Sequence, residues 1–317
     1  MPAGRTRYRS IDDDSALWDG FAFRPGDIVI STRSKSGTTW MQMICALLVF
    51  QTPELPAPLH ELSPWLDWLV TPHDEVLARL DAQRHRRFIK THTPLDGLPL
   101  DRRATFVVVA RHPLDTAVSM YHHGGNIDRP AWRKMIGVPE PDQPAPPRPL
   151  LDEWLVRWIE GGAVPTEDLD SLAGVVWHAA DAWSRRHEGN VLLFHYADLS
   201  ADLEAEMRRL AGRLGIEVPE QTWPMLVAAA SFENMRSHAD DLAPAPPGIL
   251  KDRVAFFRDG SSGGSAAVLG KDALARYQAK VETLASPAVL AWLHGGTGGR
   301  PTAASAPPAT QNDRAHR

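Results

Sequence analysis

Three short clusters carry side chains that could do chemistry together. The first is Lys35-Ser-Gly-Thr-Thr-Trp40, which follows Ile28-Val-Ile-Ser31 and precedes the apolar run Met41 to Phe50. A strand, a small polar loop and a helix make an anion site, because an open helix N-terminus offers unpaired N–H groups and the positive end of a dipole. Gly37 lets the backbone approach an anion closely. Thr38 and Thr39 can cap the helix and donate hydroxyls, Ser36 adds another hydroxyl, and Lys35 adds a full positive charge. The order differs from the ordinary phosphate loop, whose lysine comes after its second glycine. Read alone, Ser-Gly-Thr-Thr is also a plain helix cap. Trp40 tips the balance, since its ring could stack on a base.

The second cluster is Arg87-Phe-Ile-Lys-Thr-His-Thr-Pro94. Phe88 and Ile89 start a short strand. Lys90 and His92 follow at its carboxyl end, where open α/β sheets hold their ligands. Alternation puts both on one side if the strand continues. A lone histidine is commonly structural; a lysine and a histidine together, after an anion loop, favour function. The third cluster begins where the strand Thr105 to Ala110 ends at Arg111, and Ser119 lies two helical turns on. A guanidinium at a strand end can make a two-pronged contact, with a surface salt bridge as the alternative. Asp115 can orient this turn. His112, His122 and His123 show no metal-ligand spacing, so no metal is expected.

The elements that must hold these clusters follow from pattern. Arg24-Pro-Gly-Asp27 is a turn ahead of the first strand. Short helices are expected at Ser15 to Gly20 and Ser63 to Leu69, and longer ones at Pro72 to Gln83, Leu151 to Gly161 and Leu172 to His187. Asn190 to Asp198 reads as another strand with its end. Ser200 is the expected cap of a helix that stops at Gly215. Six prolines between Val138 and Pro149 exclude regular helix or central strand. Tyr277 to Leu293 is a closing helical region. The length suits one large α/β domain or two small ones, and the reading taken is a single α/β domain over 21–294, with a loose arm at 1–20 and a disordered tail at 295–317.

These motifs, in this order, resemble sulfotransferases that use 3'-phosphoadenosine 5'-phosphosulfate (PAPS). Lys35 to Trp40 is similar to the loop that holds the 5'-phosphosulfate. The stretch Arg86 to Gly97, with Ser63-Pro-Trp-Leu-Asp67 before it, is worded most like the mycobacterial glycolipid members. The resemblance covers roughly residues 8 to 296. It implies a P-loop-like sulfotransferase fold, a central parallel sheet flanked by helices. It implies sulfuryl transfer from PAPS to a hydroxyl, with His92 as general base and with Lys35 and Lys90 stabilising the leaving oxygen. Arg111 and Ser119 match the 3'-phosphate site. Tyr196, Ser231 and Phe232 match residues against the nucleotide. Phe256-Phe257-Arg258-Asp259-Gly260 resembles the closing loop, from which Phe257, Arg258 and Gly260 carry over. Asp259 stands where the family usually has a lysine, and Ser262 to Ala267 replaces the usual Gly-Asp-Trp stretch. That exchange removes a positive charge beside the 3'-phosphate and adds a negative one. The acceptor implied is a glycolipid or another lipophilic hydroxyl compound. Members are often dimers, which allows a homodimer here, although no dimer motif is read from the residues.

Composition narrows the classes further. The chain has 317 residues, 43% of them hydrophobic, which suits a globular α/β protein. A net charge of -5 argues against a general nucleic-acid binder. The single cysteine, Cys45, excludes an internal disulfide and reads as a buried small hydrophobe, in keeping with a reducing cytoplasm. No apolar run is long enough for a membrane span, and the start does not read as a signal peptide. Eleven tryptophans fit an apolar acceptor pocket, or simply core packing. Two other classes remain. A P-loop-related kinase would need a Walker lysine and a magnesium carboxylate, which are not in place. A nucleotide-binding protein without catalysis would need no intact Lys35, Lys90 and His92.

Overall fold

The computed structural model describes residues 4–143, 146–244, 248–258, 260, 262–264 and 268–296. Its centre is a four-stranded parallel sheet of β1 (Ile28–Thr32), β2 (Phe88–Thr91), β3 (Thr105–Ala110) and β4 (Val191–His195), in the spatial order β2-β1-β3-β4. The helices are α1 (Thr38–Phe50), α2 (Leu59–Leu62), α3 (His73–Ala82), α4 (Pro113–Asn126), α5 (Arg129–Met135), α6 (Leu151–Glu160) and α7 (Leu172–Ser184). They continue with α8 (Tyr196–Ala201), α9 (Leu203–Leu214), α10 (Trp223–Ala230), α11 (Phe232–Ser237), α12 (Ala239–Leu242), α13 (Lys271–Leu284) and α14 (Pro287–Gly295).

The sheet is parallel because its strands are apolar on both faces and joined by helical crossovers. Alternate residues feed two cores. Ile28, Ile30, Phe88, Val107, Val109, Leu192 and Phe194 pack with α1, α9 and α10. Val29, Ile89, Phe106, Val108, Val191 and Leu193 pack with α4, α6, α7, α13 and α14. At the amino ends of the strands Arg87 and Asp27, both almost fully buried, form a two-pronged ion pair that pins β1 to β2. β1 has β2 on one side and β3 on the other, so the chain switches direction there. The crevice beyond the carboxyl ends at such a switch is the usual ligand site.

Several expectations are corrected. The arm packs on the domain: Tyr8 and Trp18 are buried, and the Tyr8 hydroxyl donates to Asp96 at 2.9 Å. Only a turn of 3₁₀ helix forms at Ser15–Trp18. Ser63 to Leu69 is not helical, because its backbone is drawn to β2: Lys90 N–H donates to Pro64 C=O at 2.9 Å. Ser200 lies inside α8, and Asp202 caps α9 through the Ala205 N–H. The closing region is two helices, broken at Ser286-Pro287. Within 138–149 the described residues carry no helix or strand. Cys45 is fully buried in the core. Among the described residues no helix is long and apolar enough to cross a membrane. Of the expected tail, Gly295 ends α14 and the stretch from 297 lies outside the described residues.

Candidate active site

All four strands deliver a polar or aromatic residue to the same end of the sheet. β1 leads into the Lys35 loop, β2 into Lys90 and His92, β3 into Arg111 and β4 into Tyr196. These side chains line one cavity of about 1790 Å³, above the range of about 300–1,000 Å³ usual for a single small ligand. Gly37, Thr38, Thr39, Trp40, Ser119, Phe232, Phe257, Arg258 and Gly260 line it too.

The loop after β1 is built from unusual backbone. Lys35 has φ +63°, a left-handed conformation that a non-glycine residue adopts at a cost of about 1–3 kcal/mol. Gly37 follows at φ +101° and serves as the N-cap of α1. A Cβ there would crowd the Tyr196 ring at 3.1 Å, and the left-handed φ strains any side chain besides. The first helical bond of α1 runs from Met41 N–H to Gly37 C=O. The preceding amides therefore have no partner within the helix. Contrary to expectation, neither threonine caps α1; the Thr38 hydroxyl bonds instead to that of Thr32. Ser36 also turns away. Its N–H donates to Arg33 C=O, and its buried hydroxyl faces Thr116 beneath the loop.

Arg111 binds this loop into place. Its guanidinium donates to Lys35 C=O at 3.1 Å and lies 4.1 Å over the Tyr196 ring. Tyr196 in turn meets Trp40 edge to face at 5.1 Å, and Trp40 Nε1–H donates to Ala230 C=O at 2.8 Å. Lys35 Nζ rests 3.7 Å over Phe256. Burial, and then the charges of Arg111, Lys90 and Arg258, push the Lys35 ammonium down to about 7.

Lys90 and His92 face the cavity together, as alternation requires. Lys90 Nζ lies 3.9 Å over Trp65, which stacks in parallel on Trp68. Burial pushes Lys90 down to about 8, against the pull of Asp67, Asp12 and Asp13. His92 meets the same Trp65 ring edge to face at 4.7 Å. Its Nδ1 lies 2.6 Å from Thr32 C=O. A carbonyl only accepts, so Nδ1 carries the proton and Nε2 keeps the lone pair. Burial, with Lys90 and Arg33 beside it, holds the imidazole well below its ordinary range, so it is neutral at neutral pH.

The closing segment completes the wall. Gly260 has φ +69°, and a Cβ there would meet the Phe232 ring at 2.5 Å. Ser262 Oγ–H and Gly263 N–H both donate to Asp115 at the start of α4, at 3.0 and 2.7 Å. Asp259 lies outside the described residues, as do 265–267. Ser231 does not line the cavity; its hydroxyl caps α11 by accepting from Asn234 N–H at 3.2 Å. Phe256 and His123 line the cavity too, although the sequence reading gave neither a role of its own in the site. Phe256 lies under the Lys35 ammonium, and His123 is held down to about 3 by burial and by Lys35 and Lys90. The i, i+4 spacing of Ser119 and His123 on α4 was the available signal. Among the described residues no group of three His, Cys, Asp or Glu is placed to hold a metal.

The sulfotransferase domain pattern matches residues 25–283. The chain belongs to the sulfotransferase family. It is 42% identical to a glycolipid sulfotransferase of Mycobacterium bovis, over 93% of this chain and 96% of that one. It is 29% identical to the dog sulfotransferase 1A1, over 77% and 78% of the two chains. Its fold is similar to that of mouse sulfotransferase SULT7A1, solved with PAP (TM-score 0.63, 21% identity, 88% of this chain and 90% of that one). It is also similar to retinol dehydratase, solved with androsterone and PAP (TM-score 0.61, 19% identity, 85% and 83%). In this sulfotransferase, the loop, strand-end and Arg111 clusters recognised in the sequence stand around one cavity.

Proposed function

We propose that this sulfotransferase moves a sulfuryl group from PAPS to a hydroxyl of a lipophilic acceptor, with a glycolipid as the leading class. The observation that carries the reading is the convergence of Lys35, Lys90 and His92 with the open end of α1 in one cavity. The donor set fits an anionic nucleotide. The amides at Gly37 to Trp40, with Lys35, would hold the 5'-phosphosulfate. Arg111, Ser119 and Arg258 supply contacts for a ribose phosphate, and Trp40, Tyr196 and Phe232 supply rings beside a base. PAPS, when bound, supplies the sulfuryl group and leaves as adenosine 3',5'-bisphosphate.

The chain's own residues do the rest by position and charge, as in phosphoryl transfer. His92 Nε2 accepts the proton of the attacking hydroxyl, which a neutral imidazole can do at neutral pH. Lys35 and Lys90, together with the amides of α1, stabilise negative charge on the departing oxygen. A bound anion returns full positive charge to both lysines, because it offsets the burial that depresses them.

An acceptor with a long apolar part is supported by the rest of the wall, where Met43, Leu55, Leu59, Val76 and Leu250 lie. The name of the mycobacterial relatives supports a glycolipid in particular. The test is calorimetry with adenosine 3',5'-bisphosphate beside ATP with magnesium, followed by a panel of glycolipids, phenols and long-chain alcohols with PAPS. Binding of the bisphosphate alone and sulfation of the lipophilic members support the reading; a preference for ATP with magnesium, or bisphosphate binding without any product, overturns it.

A further inference from the structure

We propose that Arg33 is a positioning residue for His92, tying the histidine backbone to the loop after β1 and setting a fixed positive charge beside its ring, with Asp170 anchoring Arg33 from the cavity mouth. The proposal rests on the reading of His92 as the base.

Arg33 follows β1 directly and is buried, an uncommon place for an unshared charge. One arm of its guanidinium donates to His92 C=O. The other donates to Asp170 Oδ1 at 2.6 Å. His92 is thus bound twice to consecutive residues of one segment: its ring Nδ1–H to Thr32 C=O, and its carbonyl to Arg33. The two bonds fix both the backbone and the ring angle, so Nε2 has one direction in which to point. Asp170 is itself held, since Trp158 Nε1–H donates to its carbonyl at 2.8 Å and its N–H donates to Asp168 at 2.8 Å. Its carboxylate is half exposed and lines the cavity. A planar fork is what two acceptors on different elements require, and a lysine cannot bridge them in the same way.

The charge matters as much as the tether. The charged and titratable groups that face His92 are Lys90 on its own strand, Arg33 from the β1 loop and His178 from α7, which bonds to Ser31 at 2.9 Å. All three oppose a proton on His92, and Asp170 partly neutralises the Arg33 contribution. Charge and geometry can be separated by substitution. Arg33→Gln removes the charge and so makes His92 easier to protonate. Arg33→Lys keeps the charge and loses the fork. Asp170→Asn leaves the Arg33 charge unneutralised and makes His92 harder to protonate.

The experiment is the pH profile of kcat/KM for the acceptor at saturating PAPS, in the wild type, these three variants and His92→Ala. In Arg33→Gln the acid limb moves to higher pH by about one unit, a tenfold loss at the foot of the wild-type plateau. In Asp170→Asn it moves the opposite way. In Arg33→Lys the limb stays in place and the plateau falls. A merely structural tie would lower the plateau in all three with the limb unmoved, and that result overturns the proposal, as does an Arg33→Gln profile like the wild type. If His92→Ala keeps wild-type activity, the base assignment itself fails and the Arg33 proposal goes with it. If Arg33→Gln does not fold, the opposite shift in Asp170→Asn against the unmoved limb in Arg33→Lys decides the matter.

Discussion

Arg111 is bonded to the main chain of Lys35. Its guanidinium donates to the Lys35 carbonyl at 3.1 Å while lying 4.1 Å over Tyr196. One side chain therefore both holds the strained anion loop in shape and presents charge to the cavity. Replacing it should remove a charge-assisted contact of about 1.5–3 kcal/mol, or roughly ten- to a hundredfold in affinity. Calorimetry with adenosine 3',5'-bisphosphate on Arg111→Ala should show that loss, and Arg111→Lys should restore only part of it, because an ammonium lacks the planar fork.

Nucleotide binding should take up protons. Lys35 is pushed down to about 7 and Lys90 to about 8 in the free protein, in each case chiefly by burial. An anion raises both, so at about pH 8 protons enter with the ligand. The apparent binding enthalpy should then vary with the ionisation enthalpy of the buffer, and affinity should weaken as pH rises further. The same shifts act on the free fold. Both lysines titrate lower folded than unfolded, where about 10.4 is usual, so the unfolded chain holds more protons in between. These two groups therefore make the free protein more stable as pH rises from about 7 toward 10, which denaturant melts across that range can check. Lys35→Met should reduce both effects.

Gly260 is a tight backbone approach in the closing segment. With φ +69° and the Phe232 ring in the way of any Cβ, Gly260→Ala must displace the ring or the segment. The expected outcome is weaker bisphosphate binding with little change in melting temperature, since the segment packs on the cavity rather than the sheet. Calorimetry beside a thermal melt separates the two.

The Asp27–Arg87 pair sits at the opposite end of the strands from the site. Asp27→Ala removes the two-pronged partner of a buried guanidinium, leaving Asp81 at 3.8 Å as its acidic neighbour, and should cost about 3–5 kcal/mol in denaturant unfolding. Its effect on the Kd for the bisphosphate, measured where the variant is folded, should be small.

Much of the site could be read in the sequence because its signals are local. Lys35 before Gly37, Lys90 and His92 two apart at a strand end, and Arg111 after an apolar strand each depend on a few neighbouring residues. Parallel order came from the family resemblance, and the apolar strands joined by helical crossovers agree with it. What could not be read depends on distant contacts. Ser36 and Ser231 fit a hydroxyl pattern, but one turns toward Thr116 and the other caps its own helix. Ser63 to Leu69 has helical periodicity, yet pairing with β2 captures its backbone. The arm reads as loose by composition, yet Tyr8 finds Asp96, far along the chain. Phe256 and His123 meet Lys35 only through the tertiary fold.

The most direct test is transfer of labelled sulfate from PAPS to a glycolipid acceptor by the wild type and His92→Ala, with bisphosphate binding measured on both. The account predicts transfer by the wild type and a loss of about a hundredfold or more in rate in the variant, with binding retained. Equal rates in the two proteins would contradict the role of His92, and no transfer from PAPS by a wild type that binds the bisphosphate would contradict the proposed reaction.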